Sequence, residues 1–316
     1  MNYRILGRTG LRVSALALGT VELGMDYGIV APGHYGRPPQ EAAIQIVHTA
    51  IDAGITLLDT ARGYGESEAV LGRALQGRRD EVVLATKATT HLPDGTVPTG
   101  AALRQLMLEQ LETSLRLLQT DTVDVWQIHN VDEKVLAQHA TIAEIFAEAQ
   151  QRGLTRWRGG SFYGAALPAA ALAYDLFDVI QVTYSAFDQR LSDHVLPLAE
   201  TNHVGVMIRS VLLKGALTER ADHLPDHLEP LRARSRQFRQ LIADSGLGIS
   251  AAQAALAFAL ANRQISSVLV GVRTVEEVQD NVVAVETQLP PDLYQAIAAL
   301  RIDDELLLNP GAWGIP

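Results

Sequence analysis

The chain has 316 residues, 47% of them hydrophobic and 20% charged, with a formal net charge of −10. That length exceeds the usual single-domain size but suits an α/β barrel, and the acidic balance argues against a general nucleic-acid binder, which needs a basic face to neutralise phosphates. Cysteine is absent, which excludes disulfides, thiolate catalysis and cysteine-ligated zinc.

The first residues, Met1–Gly7, carry no signal-peptide hydrophobic region. The most apolar later stretch, Ala251–Ala261, is too short to span a bilayer and holds Gln253. A cytoplasmic protein with no membrane partner is the expectation.

Tyr3–Leu6 and Leu11–Ser14 read as short extended pieces around the turn Gly7-Arg8-Thr9-Gly10, a small N-terminal hairpin. The apolar run Leu16–Thr20 is a strand. Val21–Pro38, with Gly24, Gly28, Gly33, Gly36, Pro32 and Pro38, reads as a long loop, and long loops in compact domains are often functional. Ala43, Ile46, Val47, Ala50 and Ile51 fall at helical spacing and Gly54 ends that run. Ile55–Asp59 is a strand, and Ser67 is placed to cap a helix through Leu75. Val82–Thr86 is extended and ends at Lys87; Leu103–Leu118 is helical; Val123–Ile128 is extended and ends at His129. Ile142–Gln151, Leu167–Ala173 and Val195–Thr201 read as helices, alternating with extended Trp157–Ser161, Val179–Val182 and Gly205–Arg209. Lys214–Gly248 reads as a polar, proline-bearing insertion. Helix Ser250–Ala261, strand Val268–Val270, helix Thr274–Val283, a last helix from Pro290 to Leu300 and an irregular tail, Asp303–Pro316, complete the chain.

Strand and helix thus alternate about eight times, with apolar strands of the kind found when both faces of a parallel sheet are covered. The expected fold is one (β/α)8 TIM barrel domain over residues 1–316, with an N-terminal hairpin, an insertion after the seventh barrel strand, and an extra C-terminal helix and tail. A doubly wound open sheet is the alternative, but Gly19–Gly24 does not supply its Gly-x-Gly-x-x-Gly turn.

In a barrel, side chains at the C-terminal tips of the strands converge on one pocket. Asp59, Lys87 and His129 end the second, third and fourth strands, and Tyr64 sits on the loop after the second. A phenol is a weak acid with a reference pKa of about 10, and a nearby ammonium stabilises its anion. Lys87, positioned by Asp59, is expected to lower Tyr64. Tyr64 would then give a proton to a carbonyl oxygen that His129 orients. Taken singly, Asp59 reads as a turn residue and His129 as a core histidine; only the joint placement carries the chemistry.

Other features have plainer readings. His223 and His227 flank Pro225 with no third ligand, and so read as exposed loop residues rather than zinc ligands. Arg232, Arg234, Arg236 and Arg239 read as a solvated helix face, and Trp126 and Trp157 as barrel packing. Trp313 caps the substrate cleft or docks the tail. No metal site is expected.

The pieces Asp59-Thr-Ala-Arg-Gly-Tyr64-Gly-Glu-Ser-Glu, Ala85-Thr-Lys87, Ile128-His129-Asn-Val-Asp132, Gly159-Gly-Ser161, Ile180-Gln181-Val-Thr-Tyr184-Ser, Arg209-Ser-Val-Leu-Leu-Lys-Gly215, and Val270-Gly-Val-Arg273 with Asn281, taken together, resemble the aldo-keto reductase family, and Leu18–Ile29 with Ser185-Ala-Phe-Asp-Gln-Arg190 resemble a bacterial subgroup of uncertain substrate. They run in the family's order over nearly the whole chain. The resemblance implies a catalytic tetrad of Asp59, Tyr64, Lys87 and His129, and a nicotinamide cofactor, NADP(H), with NAD as the other candidate. It implies that Ser161 and Gln181 hold the nicotinamide carboxamide. Arg209 stands where many members stack an aromatic ring, and would stack through its guanidinium or reach the pyrophosphate. Ser210, Leu212 and Gly215 would surround the pyrophosphate; Gly271, Arg273, Glu277 and Asn281 would meet the adenosine end. Phe162 replaces a common Asn, removing a carboxamide contact, and Glu277 stands where NADPH-specific members carry a cation. The implied substrate is a small aldehyde, ketone or alcohol, with sugars as one class. Two readings stand beside a reductase: an NAD-dependent sugar dehydrogenase, and a non-catalytic nucleotide-sensing accessory subunit. Nothing in the sequence marks an oligomeric state.

Overall fold

The computed structural model describes residues 1–33 and 35–315; positions 34 and 316, within the expected loop and tail, lie outside them. Eight parallel strands close into a barrel in sequential order: β3 (Leu16–Gly19), β4 (Leu57–Asp59), β5 (Val83–Thr89), β6 (Val123–His129), β7 (Thr155–Ser161), β8 (Val179–Thr183), β9 (Gly205–Arg209) and β10 (Ser267–Gly271), which pairs back onto β3. Before them, β1 (Tyr3–Ile5) and β2 (Arg12–Ser14) form the antiparallel hairpin expected from the sequence.

The barrel interior is layered, and its layers position the site. Ala17, Leu57, Ala85, Val125, Val179, Met207 and Leu269 form one apolar layer, with the partly buried Trp157 against it. Leu6 and Val13 of the hairpin region join this cluster and plug the N-terminal end. Because side chains alternate along a strand, residues two further on point inward again. Those residues are Gly19, Asp59, Lys87, Gln127, Gly159, Gln181, Arg209 and Gly271. The next layer is therefore polar or empty, at the end where the loops leave the strands. A side chain at Gly159 would stand 2.5 Å from Gln127 Cγ, so the glycine makes room for Gln127.

Outside the barrel, amphipathic helices bury their apolar faces on the strands. Helix Ala251–Ala261 is the extreme case, with eight of its 11 residues buried; Ser250 accepts from Gln253 N–H and completes a capping box. Trp126 is fully buried edge-on to Phe146, as expected of packing.

Several sequence expectations need correction. Lys87 does not end its strand; β5 runs on to Thr89. Ser67 is not a cap: Glu66 holds that position, and the buried Ser67 hydroxyl instead meets Thr20 Oγ1 at 2.7 Å and Thr60 Oγ1 at 2.9 Å. The polar insertion holds a 16-residue helix, Glu229–Asp244, which buries Leu231, Ser235, Phe238 and Ile242 at helical spacing. Of its arginines only Arg236 is exposed; Arg232, Arg234 and Arg239 are partly buried, with Arg232 and Arg236 paired to Glu229 and Arg239 to Asp222, so the face is less solvated than expected. The tail is not wholly irregular. It contains a helical turn, Glu305–Leu308, whose Leu306 carbonyl accepts from the buried Trp313 indole at 3.2 Å, so Trp313 docks the tail. No helix among the described residues is long and apolar enough to cross a membrane.

Candidate active site

The polar layer converges on Lys87. Its ammonium is buried and directs its donors at three acceptors: Asp59 Oδ2 at 2.5 Å, the Thr60 carbonyl at 2.9 Å and Tyr64 Oη at 3.4 Å. The other carboxylate oxygen, Asp59 Oδ1, accepts from Gln127 Nε2 and Gln181 Nε2, both at 2.9 Å. Asp59 is thus held from three strands. Tyr64 and His129 stand above this base, partly exposed, with their rings edge to face at 5.5 Å. The structure brings all four of the expected residues together.

The loop that carries Tyr64 is fixed from below. Tyr64 N–H closes a turn on the Ala61 carbonyl at 3.0 Å. The buried Glu68 accepts from Thr86 Oγ1 at 2.7 Å and pairs with Arg62. Gly24 packs so closely that a Cβ there would stand 2.0 Å from the Tyr64 carbonyl, and Gly65 turns beside it with a φ of +55°.

The electrostatics differ from the expectation in one respect. Burial pushes the Tyr64 phenol up and Asp59 adds to this, with Arg209 opposing. The Lys87 ammonium, which donates to Tyr64 Oη at 3.4 Å, does not offset this rise. The phenol stays protonated and, with Lys87 donating to its oxygen, its own O–H is free to donate. Burial also lowers Lys87, while Asp59 opposes that fall. His129 is pushed down to about 3 by burial, Lys87 and Arg209, so its imidazole is neutral.

From Tyr64 and His129 a cleft of about 370 Å³ runs past Gln181, Arg209, Gly215 and Gly271 to Arg273. Two buried polar atoms lack a hydrogen-bond partner among the described residues: Gln181 Oε1, whose residue lines the cleft, and Ser161 Oγ, whose residue is buried and is not part of the lining. Their residues are register partners on adjacent strands. One donor and one acceptor match the carbonyl and the NH₂ of a carboxamide, so they fit a nicotinamide. Phe162 turns its ring into the core, 5.6 Å from Phe177, and offers no polar side-chain contact there. Its carbonyl instead accepts from Arg209 Nη2 at 3.0 Å, and the Arg209 guanidinium lies 3.9 Å over the Tyr163 ring.

Further along, Ser210, Leu213 and Lys214 all have positive φ (59°, 49° and 54°), as does Gly215 (101°). Non-glycine residues in that region cost about 1–3 kcal/mol each, and such strain gathers where a loop must hold a ligand. Ser210, Leu212 and Gly215 line the cleft as expected. Gly271 and Arg273 line it too, whereas Glu277 and Asn281 stand behind, on helix Val275–Val283. Glu277 accepts from Arg273 N–H at 2.7 Å and from Arg220 Nη2 at 2.5 Å. Its charge is answered by Arg220, so it opposes an anion less than the sequence implied.

Sequence reasoning missed Gln127, Tyr163, Arg220 and Glu22. Gln127 alone carried a signal, a polar residue in an apolar strand two positions before His129.

The chain matches the family model "Aldo/keto reductase family" over residues 15–302. It is 32% identical over 222 residues to aldo-keto reductase YhdN of Bacillus subtilis (strain 168), covering 69% of this chain and 64% of that protein. It is 31% identical to the uncharacterized oxidoreductase YrpG of the same organism, covering 98% of this chain and 97% of that one. It is 33% identical to L-galactose dehydrogenase of Arabidopsis thaliana, covering 90% of this chain and 88% of that one. The holo form of aldo-keto reductase AKR11C1 from Bacillus halodurans superposes with a TM-score of 0.77 at 27% identity, covering 95% and 96% of the two chains. A barrel with this end layer, matched over nearly its full length by such proteins, belongs to the aldo/keto reductase family of oxidoreductases.

Proposed function

We propose that the protein reduces the carbonyl of a small aldehyde or ketone with NADPH, Tyr64 acting as the proton donor. The observation that carries this reading is the Lys87 ammonium, shared between Asp59 at 2.5 Å and Tyr64 at 3.4 Å beneath an open cleft. Tyr64 gives its phenolic proton to the carbonyl oxygen. Lys87 already donates to that phenol oxygen, and so stabilises the anion left behind. Asp59 holds Lys87, and Gln127 and Gln181 hold Asp59. His129, as a neutral imidazole, orients the carbonyl oxygen by an N–H hydrogen bond and carries no proton of its own to spare. The nicotinamide supplies a hydride to the carbonyl carbon, so that carbonyl, hydride and proton balance to an alcohol. Ser161 and Gln181 would hold its carboxamide, Arg209 would meet its ring or the pyrophosphate, Ser210, Leu212 and Gly215 would surround the pyrophosphate, and Gly271 and Arg273 would meet the adenosine end.

NADP is preferred over NAD because Arg273 reaches the cleft and Arg220 offsets Glu277. The relative named L-galactose dehydrogenase supports a second reading, oxidation of a sugar on the same residues, for which NAD is the alternative acceptor. Titration with NADPH and NADH separates the two cofactor assignments. Tyr64→Phe tests the chemistry: turnover of an aldehyde panel should fall about 10²–10⁴-fold with cofactor affinity near wild type. An active Tyr64→Phe enzyme removes Tyr64 from its role. Tight cofactor binding with no NADPH oxidation across the panel favours a nucleotide-sensing subunit.

A further inference from the structure

One carboxylate in the cleft has no part in the chemistry above. Glu22 follows β3 on a short helical turn, Val21–Gly24, and lines the cleft between Tyr64 and Arg273. Its Oε2 is buried and has no hydrogen-bond partner among the described residues. The carboxylate lies directly on the backbone of Gly271: a Cβ there would stand 2.1 to 2.3 Å from its three atoms. Tyr64, Glu22, Gly271 and Arg273 all line that one cleft.

We propose that Glu22 is a determinant of cofactor binding: its carboxylate stands on Gly271, where the adenosine end and the 5′-phosphate common to NADPH and NADH are assigned, and binding draws a proton onto it from solvent. This rests on the reading that the cleft holds a nicotinamide dinucleotide. An ionised carboxylate beside a phosphate in a partly enclosed cleft repels it, and a neutral carboxyl can donate to it. The groups that act on Glu22 are Arg273 and Glu277 after β10, Arg220 after β9, and Tyr27 and Tyr64 on the neighbouring loops, while Lys214 lines the same cleft. Burial outweighs the nearest cation, Arg273, and pushes the carboxyl up to about 6. It is therefore mostly ionised at neutral pH and within easy reach of protonation. A phosphate arriving beside it raises its proton affinity further, so cofactor affinity falls as pH rises above 6 and levels off below.

The test is isothermal titration of NADPH into the whole protein, wild type and Glu22→Gln, in two buffers of different ionisation enthalpy from pH 6 to pH 8. Wild type should take up protons on binding at neutral pH, and its affinity relative to Glu22→Gln should fall about tenfold across that range. The 2′-phosphate of NADPH titrates near 6 in the opposite sense, but it does so for both proteins and cancels in the ratio. NADH, which lacks that phosphate, should give the same ratio. If Glu22→Gln does not fold, the buffer dependence of NADH binding to wild type alone decides. Binding without proton uptake overturns the proposal and leaves the cofactor reading intact. Weaker binding by Glu22→Gln at every pH also overturns it, because the carboxylate would then be an acceptor for a ribose hydroxyl. Failure of both dinucleotides to bind wild type overturns the cofactor reading and the proposal together.

Discussion

Replacing Lys87 by Met leaves the site's charge unbalanced, and the size of the effect follows from the contacts. Asp59 and Lys87 are each almost fully buried, at 3% and 1% exposure, and lie 2.5 Å apart. Removing one partner of a buried pair costs about 3–5 kcal/mol, because a charge remains without its counterion. Gln127 and Gln181 still donate to Asp59, so the lower part of that range is expected. Replacing both, as Asp59→Asn with Lys87→Met, removes the stranded charge and should recover more than half of the loss. Urea unfolding of the wild type, both single variants and the double variant gives the full cycle. Reduction should be lost in Lys87→Met and in the double variant alike, so stability and activity part company. A Lys87→Met protein destabilised by less than about 1 kcal/mol would refute the reasoning, since a solvated surface pair behaves that way.

Other expectations concern the rest of the site. Arg273→Ala should weaken NADPH binding more than NADH binding, and equal losses in a fluorescence titration would mean that Arg273 does not read the 2′-phosphate. His129 is held near 3, below its ordinary value of 6.5, so the folded state binds fewer protons than the unfolded state between those values. The stability this neutral imidazole contributes is present above pH 6.5 and is lost as pH falls towards 3, by at most about 1.4 kcal/mol per pH unit. Urea unfolding at pH 6.5 and pH 4.5 should show a drop that is smaller in His129→Asn; equal drops would remove His129 as its source. Gly24→Ala places a methyl 2.0 Å from the Tyr64 carbonyl and should destabilise by about 1–3 kcal/mol while slowing turnover through a displaced Tyr64. Wild-type kinetics in Gly24→Ala would show that the loop is not held by that contact.

Local periodicity made the barrel legible. Apolar strands alternating with amphipathic helices appear in the sequence as runs and spacings, and strands such as β9 and helices such as Val195–Thr201 have the bounds expected. Asp59, Tyr64, Lys87 and His129 were also legible, because in a barrel the strand tips share one end and each lies on or just beyond a strand of the expected order. Tertiary structure decided what depends on direction and on contacts distant in sequence. Asp59 meets Gln127 and Gln181 across 68 and 122 residues, pairings that only barrel closure creates. Phe162 turns into the core, Arg220 answers Glu277, and the Glu22 carboxylate comes to rest on Gly271. The pattern of hydrophobic residues records which face of an element is buried. It does not record which distant polar group will fill the space beside it, because that is settled by packing after the elements have closed around one another.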